Sequence, residues 1–82
     1  MIRQTLAGRS ILVVEDEPLI AMDIVVEFES RGAQVVQTHL VKEALKLIEA
    51  DGLSAAILDH GLRDGDSTQL CARLDERRIP FA

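Results

Sequence analysis

Three acids stand where two apolar runs stop: Ile11-Leu12-Val13-Val14 ends at Glu15-Asp16, and Ala55-Ala56-Ile57-Leu58 ends at Asp59. Short aliphatic runs of this kind read as strands buried on both faces, as in a parallel sheet. In open α/β sheets the ligand crevice lies outside the carboxyl ends of the strands. Two neighbouring strands would therefore bring at least three carboxylates together, and these repel one another unless a hard divalent cation neutralises them. Magnesium suits such a site, because a few carboxylates, a backbone carbonyl and water supply its octahedral oxygen shell. A single strand-end acid is usually just solvated, whereas acids ending two separate buried strands point to a site.

The elements that must position these acids follow from the punctuation of the chain. Pro18 suits the first turn of a helix, where its missing N–H costs nothing. From Leu19 to Phe28 the residues are mostly apolar, with Asp23 and Glu27 on one stripe, so this helix is expected to bury much of its circumference. Gly32 sits where a left-handed C-terminal cap belongs, and Gln34 to Thr38 is a short β-prone segment. Val41, Ala44, Leu45 and Ile48 recur at i, i+3, i+4 and i+7, with Lys42, Glu43, Lys46 and Glu49 opposite, the pattern of an amphipathic helix that Asp51-Gly52 ends. Gly61 to Asp66 is a polar loop. Asp66 and Gln69 have N-cap and N3 spacing for a third helix, carried by Leu70, Cys71 and Leu74 to about Arg78. Ile79-Pro80-Phe81-Ala82 opens a further element. Strand and helix alternate three times with short connections, which predicts a parallel α/β layer structure with right-handed crossovers.

Composition narrows the function. Eighty-two residues make one domain, burying roughly 60 to 65% of the unfolded surface. Fourteen acids against nine scattered bases give a net charge of −5, which argues against nucleic acid and anionic lipid as ligands. Two Phe and no Trp or Tyr leave no stacking platform for single strands or sugars. The lone Cys71 fits a reducing compartment and most simply belongs to the core. No segment reads as a signal peptide or membrane span, so a cytoplasmic location is expected. His39 and His60 are too far apart in context to propose as a metal pair. Asp64-Gly65-Asp66 lacks the downstream ligands of a calcium loop and reads as a turn with a cap.

Val14-Glu15-Asp16-Glu17-Pro18, the Leu58-Asp59 strand end and Leu62-x-Asp64-Gly65-Asp66 together resemble the receiver domain of bacterial two-component response regulators. The resemblance runs from about Ser10 to Ala82, after a leader of residues 1–9, and covers the first three of five βα units. It implies a three-layer, flavodoxin-like parallel sheet, incomplete, with strand order 2-1-3. It implies Asp16 as direct magnesium ligand with Glu15 as its water-mediated partner, Asp59 as phosphoacceptor and ligand, and the backbone carbonyl of Gly61 as a third donor. It also implies a phosphorelay role, with a sensor histidine kinase or phosphotransfer protein as donor and no turnover enzyme activity.

The sequence departs from the family at Arg63, where Pro is frequent, at Ser67, where Gly is usual, and at His60, where an apolar residue is common. The family's hydroxyl residue ending the fourth strand and its lysine ending the fifth have no counterpart, and Lys42 and Lys46 lie on the second helix. Two other readings compete. One is a degenerate or truncated receiver that binds a partner without being phosphorylated. The other is a Toprim-like metal-dependent enzyme built on Glu15 and Asp64-x-Asp66, disfavoured because Asp59 rather than Asp64 ends the strand. With order 2-1-3, the third strand is expected to present an unprotected edge and the first helix to lack a covering neighbour, favouring a homodimer, a swapped dimer or a longer chain.

Overall fold

The computed structural model describes residues 5–50, 52–59 and 67–82. Three strands and three helices alternate: β1 (Ser10–Val14), α1 (Pro18–Ser30), β2 (Gln34–Thr38), α2 (Val41–Glu49), β3 (Ala55–Leu58) and α3 (Ser67–Glu76). The strands form one parallel sheet in the order β2-β1-β3, with Ile11 opposite Val35 on one side and Ala55 on the other. The three-strand flavodoxin-like arrangement expected from the sequence is thus the observed one.

β1 is the centre of the molecule because its run is apolar on both faces. Leu12, Val13 and Val14 have no exposed surface. Leu12 and Val14 point into the larger core with Ala56 and Leu58 of β3, Val41, Ala44 and Ile48 of α2, Leu70 and Leu74 of α3, and Ile79. Ile11 and Val13 point the other way, where the fully buried set shrinks to themselves and Ala33, with Ile24, Phe28, Val35 and Ile57 only partly covered. Leu6, from the leader, packs on this second face, and its N–H donates to Arg31 O at 2.8 Å.

The two layers differ because α2 and α3 share one face while α1 stands alone on the other. Opposite charges fasten α2 to α3: Arg73 Nη2 donates to Glu49 Oε1 at 2.6 Å, its Nε donates to Glu49 Oε2, and Arg77 Nη1 lies 3.5 Å from Glu49 Oε1. On α1 only Ala21 is buried, whereas Leu19, Met22, Val26 and Ile20 are 74, 61, 59 and 50% exposed. The expected burial around most of α1 is therefore not reached. Among the described residues no second helix flanks it to cover the remaining apolar side.

Terminations follow the sequence. Pro18 begins α1, and Gly32 closes it with φ 95°, Ala33 N–H donating to Phe28 O at 3.2 Å. Arg78 takes the left-handed position after α3 with φ 58°, and Ile79 N–H donates to Leu74 O at 2.9 Å. The proposed cap at Asp66 lies outside the described residues. One expectation is corrected: β3 does not present a bare outer edge. Residues 79–82 run parallel to it, with Ala56 N–H donating to Pro80 O at 3.0 Å and Leu58 N–H to Ala82 O at 2.8 Å. No helix among the described residues is long and apolar enough to cross a membrane.

Candidate functional site

The backbone ladders carry the acids to one place. Beyond Val14, Glu15 N–H donates to Thr38 O of β2 at 3.0 Å, and beyond Leu58, Asp59 N–H donates to Val14 O of β1 at 2.8 Å. Pairing thus extends one residue past the strands on both sides of β1. Glu15, Asp16 and Asp59 each offer a carboxylate oxygen, and these oxygens all lie within 4.8 Å of one another.

Glu15 is 7% exposed, and Asp16 and Asp59 are half-buried. Burial raises the pKa of Glu15 above the ordinary glutamate value. The hydrogen bond and negative charge of Asp59 push it the same way, as does the charge of Asp16, against a smaller lowering by the backbone of Glu17. Burial first, and then the neighbouring carboxylates, disfavour the ionised form of Glu15 in this partly dry corner. An all-oxygen donor set under mutual repulsion is what a hard dication neutralises, so these residues fit magnesium. The carbonyl of Gly61, the remaining expected donor, lies outside the described residues, as do His60 and Asp64-Gly65-Asp66.

Two residues of the neighbourhood went unassigned in the sequence. Gln37, near the end of β2, donates through Nε2 to the carbonyl of Glu15 at 3.2 Å and so tethers the turn bearing the acids. The accessible signal was an uncharged amide just before the strand end beside β1. His39 follows Thr38 and, with Gln37, Glu15, Asp16, Pro18, Ala21, Met22 and Val25, lines a cleft of about 560 Å³ between the start of α1 and the end of β2. Thr38 is itself buried, and its Oγ1 accepts from Leu40 N–H at 3.2 Å, turning the chain into α2. Cys71 is half-buried against the larger core, as its place on the apolar stripe implied.

Comparison with protein-family models and with curated proteins finds no match. Solved structures do match. The non-phosphorylated receiver domain of HemR from Leptospira biflexa superposes with a TM-score of 0.81 over 89% of this chain at 24% identity. SdrG from Pseudomonas melonis Fr1, in its BeF3-activated conformation in solution, gives a TM-score of 0.76 over 93% of this chain at 44% identity. The chain spans 60% of the first and 66% of the second. With its strand order, its acid cluster at the strand ends and these two likenesses, the chain has the receiver-domain fold of response regulators, over the part in which Glu15, Asp16 and Asp59 meet.

Proposed function

We propose that this chain is the phosphoacceptor part of a phosphorelay receiver, with Asp59 as the accepting side chain. The observation that carries the reading is the convergence of Glu15, Asp16 and Asp59 at the end of a receiver-type sheet. A carboxylate oxygen of Asp59 attacks the phosphorus of a phosphorylated histidine on a sensor kinase or phosphotransfer protein. The P–N bond breaks, its electron pair returns to the imidazole, and an acyl phosphate remains on Asp59. Glu15, Asp16 and Asp59 would hold magnesium, which when bound supplies positive charge beside the transferring phosphoryl group. The ladder bond from Asp59 N–H to Val14 O fixes the nucleophile, and the tether from Gln37 to Glu15 fixes the opposing acids, so little reorganisation is left for the transfer.

Acetyl phosphate with magnesium, followed by borohydride trapping, tests this: reduction of an acyl phosphate at position 59 leaves homoserine there. In a form of the domain that carries the family's hydroxyl residue and lysine, the trapped product is expected only with magnesium and is lost in Asp59→Asn; residues 1–82 alone are expected to give little of it. Labelling at another residue, or equal labelling of the variant, would refute the assignment.

A further inference from the structure

The carbonyl of Glu15 belongs to the peptide unit that joins Glu15 to Asp16, and that unit is planar. Whatever holds this carbonyl therefore fixes the plate on which both acids are mounted. In a parallel ladder a bonded residue donates its N–H to one residue of the neighbouring strand and accepts at its C=O from the residue two further on. On β2 the bonded residues are Gln34, Val36 and Thr38, since Gln34 N–H donates to Arg9 O at 2.9 Å and Thr38 O accepts from Glu15 N–H at 3.0 Å. In a ladder continued beyond Thr38 the next rung would run from Leu40 N–H to Glu15 O. Instead, Leu40 N–H donates to Thr38 Oγ1 at 3.2 Å, and Glu15 O accepts from Gln37 Nε2 at 3.2 Å. Two side-chain bonds take the place of that rung. The Thr38 hydroxyl turns β2 out of the sheet toward α2, and the Gln37 amide satisfies the carbonyl that this departure would strand.

We propose that Gln37 is a positioning residue for the magnesium site, acting through the Glu15–Asp16 peptide without touching the ion. This rests on the reading of Asp59 as phosphoacceptor beside a shared cation, and it adds a residue outside the acid set that decides how tightly the acids hold that cation. The two flanks of β1 are anchored differently. On the β3 flank Asp59 is set by a backbone bond, its N–H donating to Val14 O at 2.8 Å, whereas on the β2 flank the Glu15–Asp16 peptide is set by a side chain. Repulsion drives the three carboxylates apart in the absence of metal, and a dication needs their oxygens together, so slack in that peptide weakens binding. An amide suits the position because it donates without charge: it adds neither a rival cation nor a further carboxylate to the cleft it shares with Glu15 and Asp16. Gln37 is exposed, so water competes for the carbonyl and the effect has the size of one net hydrogen bond, about threefold to tenfold in affinity.

Magnesium titration followed by NMR tests the proposal on the wild type, on Gln37→Leu, which keeps the bulk and removes the donor, and on Gln34→Leu at the other end of β2 as control. Gln37→Leu should raise the Kd for magnesium about threefold to tenfold, and Gln34→Leu should leave it unchanged. In chelator, exchange of the Glu15 amide should quicken in Gln37→Leu while that of Asp59, bonded to Val14 O, keeps its wild-type rate; a general loosening of the fold would quicken both. In the unmodified chain the Gln37 side-chain amide protons should shift along the same binding curve as Glu15 and Asp16, and those of Gln34 should not. An unaltered Kd in Gln37→Leu, equal quickening of the two amides, or Gln37 protons indifferent to magnesium would overturn the proposal and leave the acid site standing. Equal magnesium affinity in wild type and Asp59→Asn would instead overturn the reading of the acid cluster, and the role of Gln37 with it.

Discussion

Removing one carboxylate from the acid cluster should make the metal-free protein more stable. The carboxylate oxygens of Glu15, Asp16 and Asp59 lie within 4.8 Å of one another. Coulomb's law at that separation gives about 3.5 kcal/mol per pair of unit charges at an effective dielectric of 20, and about 0.9 kcal/mol in water. Asp16 and Asp59 are half-buried, so the water end of this range weighs more. Asp59→Asn removes two of the three pairwise repulsions and supplies an amide N–H that can donate to an ionised Glu15. A gain of about 1 to 2 kcal/mol is expected, or roughly 4 to 16 °C in Tm for a domain of this size. The pH dependence has a definite sign. Glu15 has a raised folded pKa, so its penalty is absent below the ordinary glutamate value of 4.5 and fully developed only above the folded value. The advantage of Asp59→Asn should accordingly shrink as pH falls to 4.5. Thermal melts of both proteins with chelator and with millimolar magnesium, at several pH values, measure all of this. Magnesium should raise the melting temperature of the wild type far more than that of the variant. A variant no more stable than wild type in chelator, with equal magnesium responses, would refute the claim that these carboxylates repel one another and share a cation.

Leu74→Ala empties a fully buried position between α3 and the sheet and should cost about 2 to 5 kcal/mol in urea melts, a large fraction of the stability of a small domain. Gly52→Ala meets no neighbouring atom, so any loss must come from its φ of 107°, about 1 to 2 kcal/mol, and an unchanged urea midpoint would show that the turn relaxes freely. Glu49 is held below the ordinary glutamate range first by its hydrogen bond to Arg73, so its contribution is present above pH 4.5 and lost as pH falls through its folded value. Glu49→Gln should therefore flatten the acid limb of the stability profile, and an unaltered limb would show that the pair contributes nothing.

The layer order was legible because β1 and β3 carry uninterrupted apolar runs while α2 alternates charge and aliphatic at helical spacing, so each element could bury its apolar atoms in only one way. The acids were legible for the same reason: a charge that ends a strand buried on both faces must sit at the sheet's rim, and two such strands on either side of one axis bring the charges together. Gln37 was harder to read, since an amide reaching a neighbouring strand's carbonyl leaves no periodic trace and its one signal is an uncharged polar residue just before a strand end. Edge status was harder still. Sequence reasoning placed the exposed edge at β3, but residues 79–82 return parallel to that strand and use its outward N–H groups at Ala56 and Leu58. The burden of exposure moves to β2, whose pattern of Gln, Val, Val, Gln and Thr has neither the apolar alternation of a covered strand nor the charge of a protected one. α1 follows from this placement. Its Leu19, Met22 and Val26 are exposed, while the buried residues on its side of the sheet, Ile11, Val13 and Ala33 with Ala21 of α1 itself, are few among the described residues. A helix that apolar retains its exposed stripe because one layer of a three-stranded sheet is too narrow to bury it.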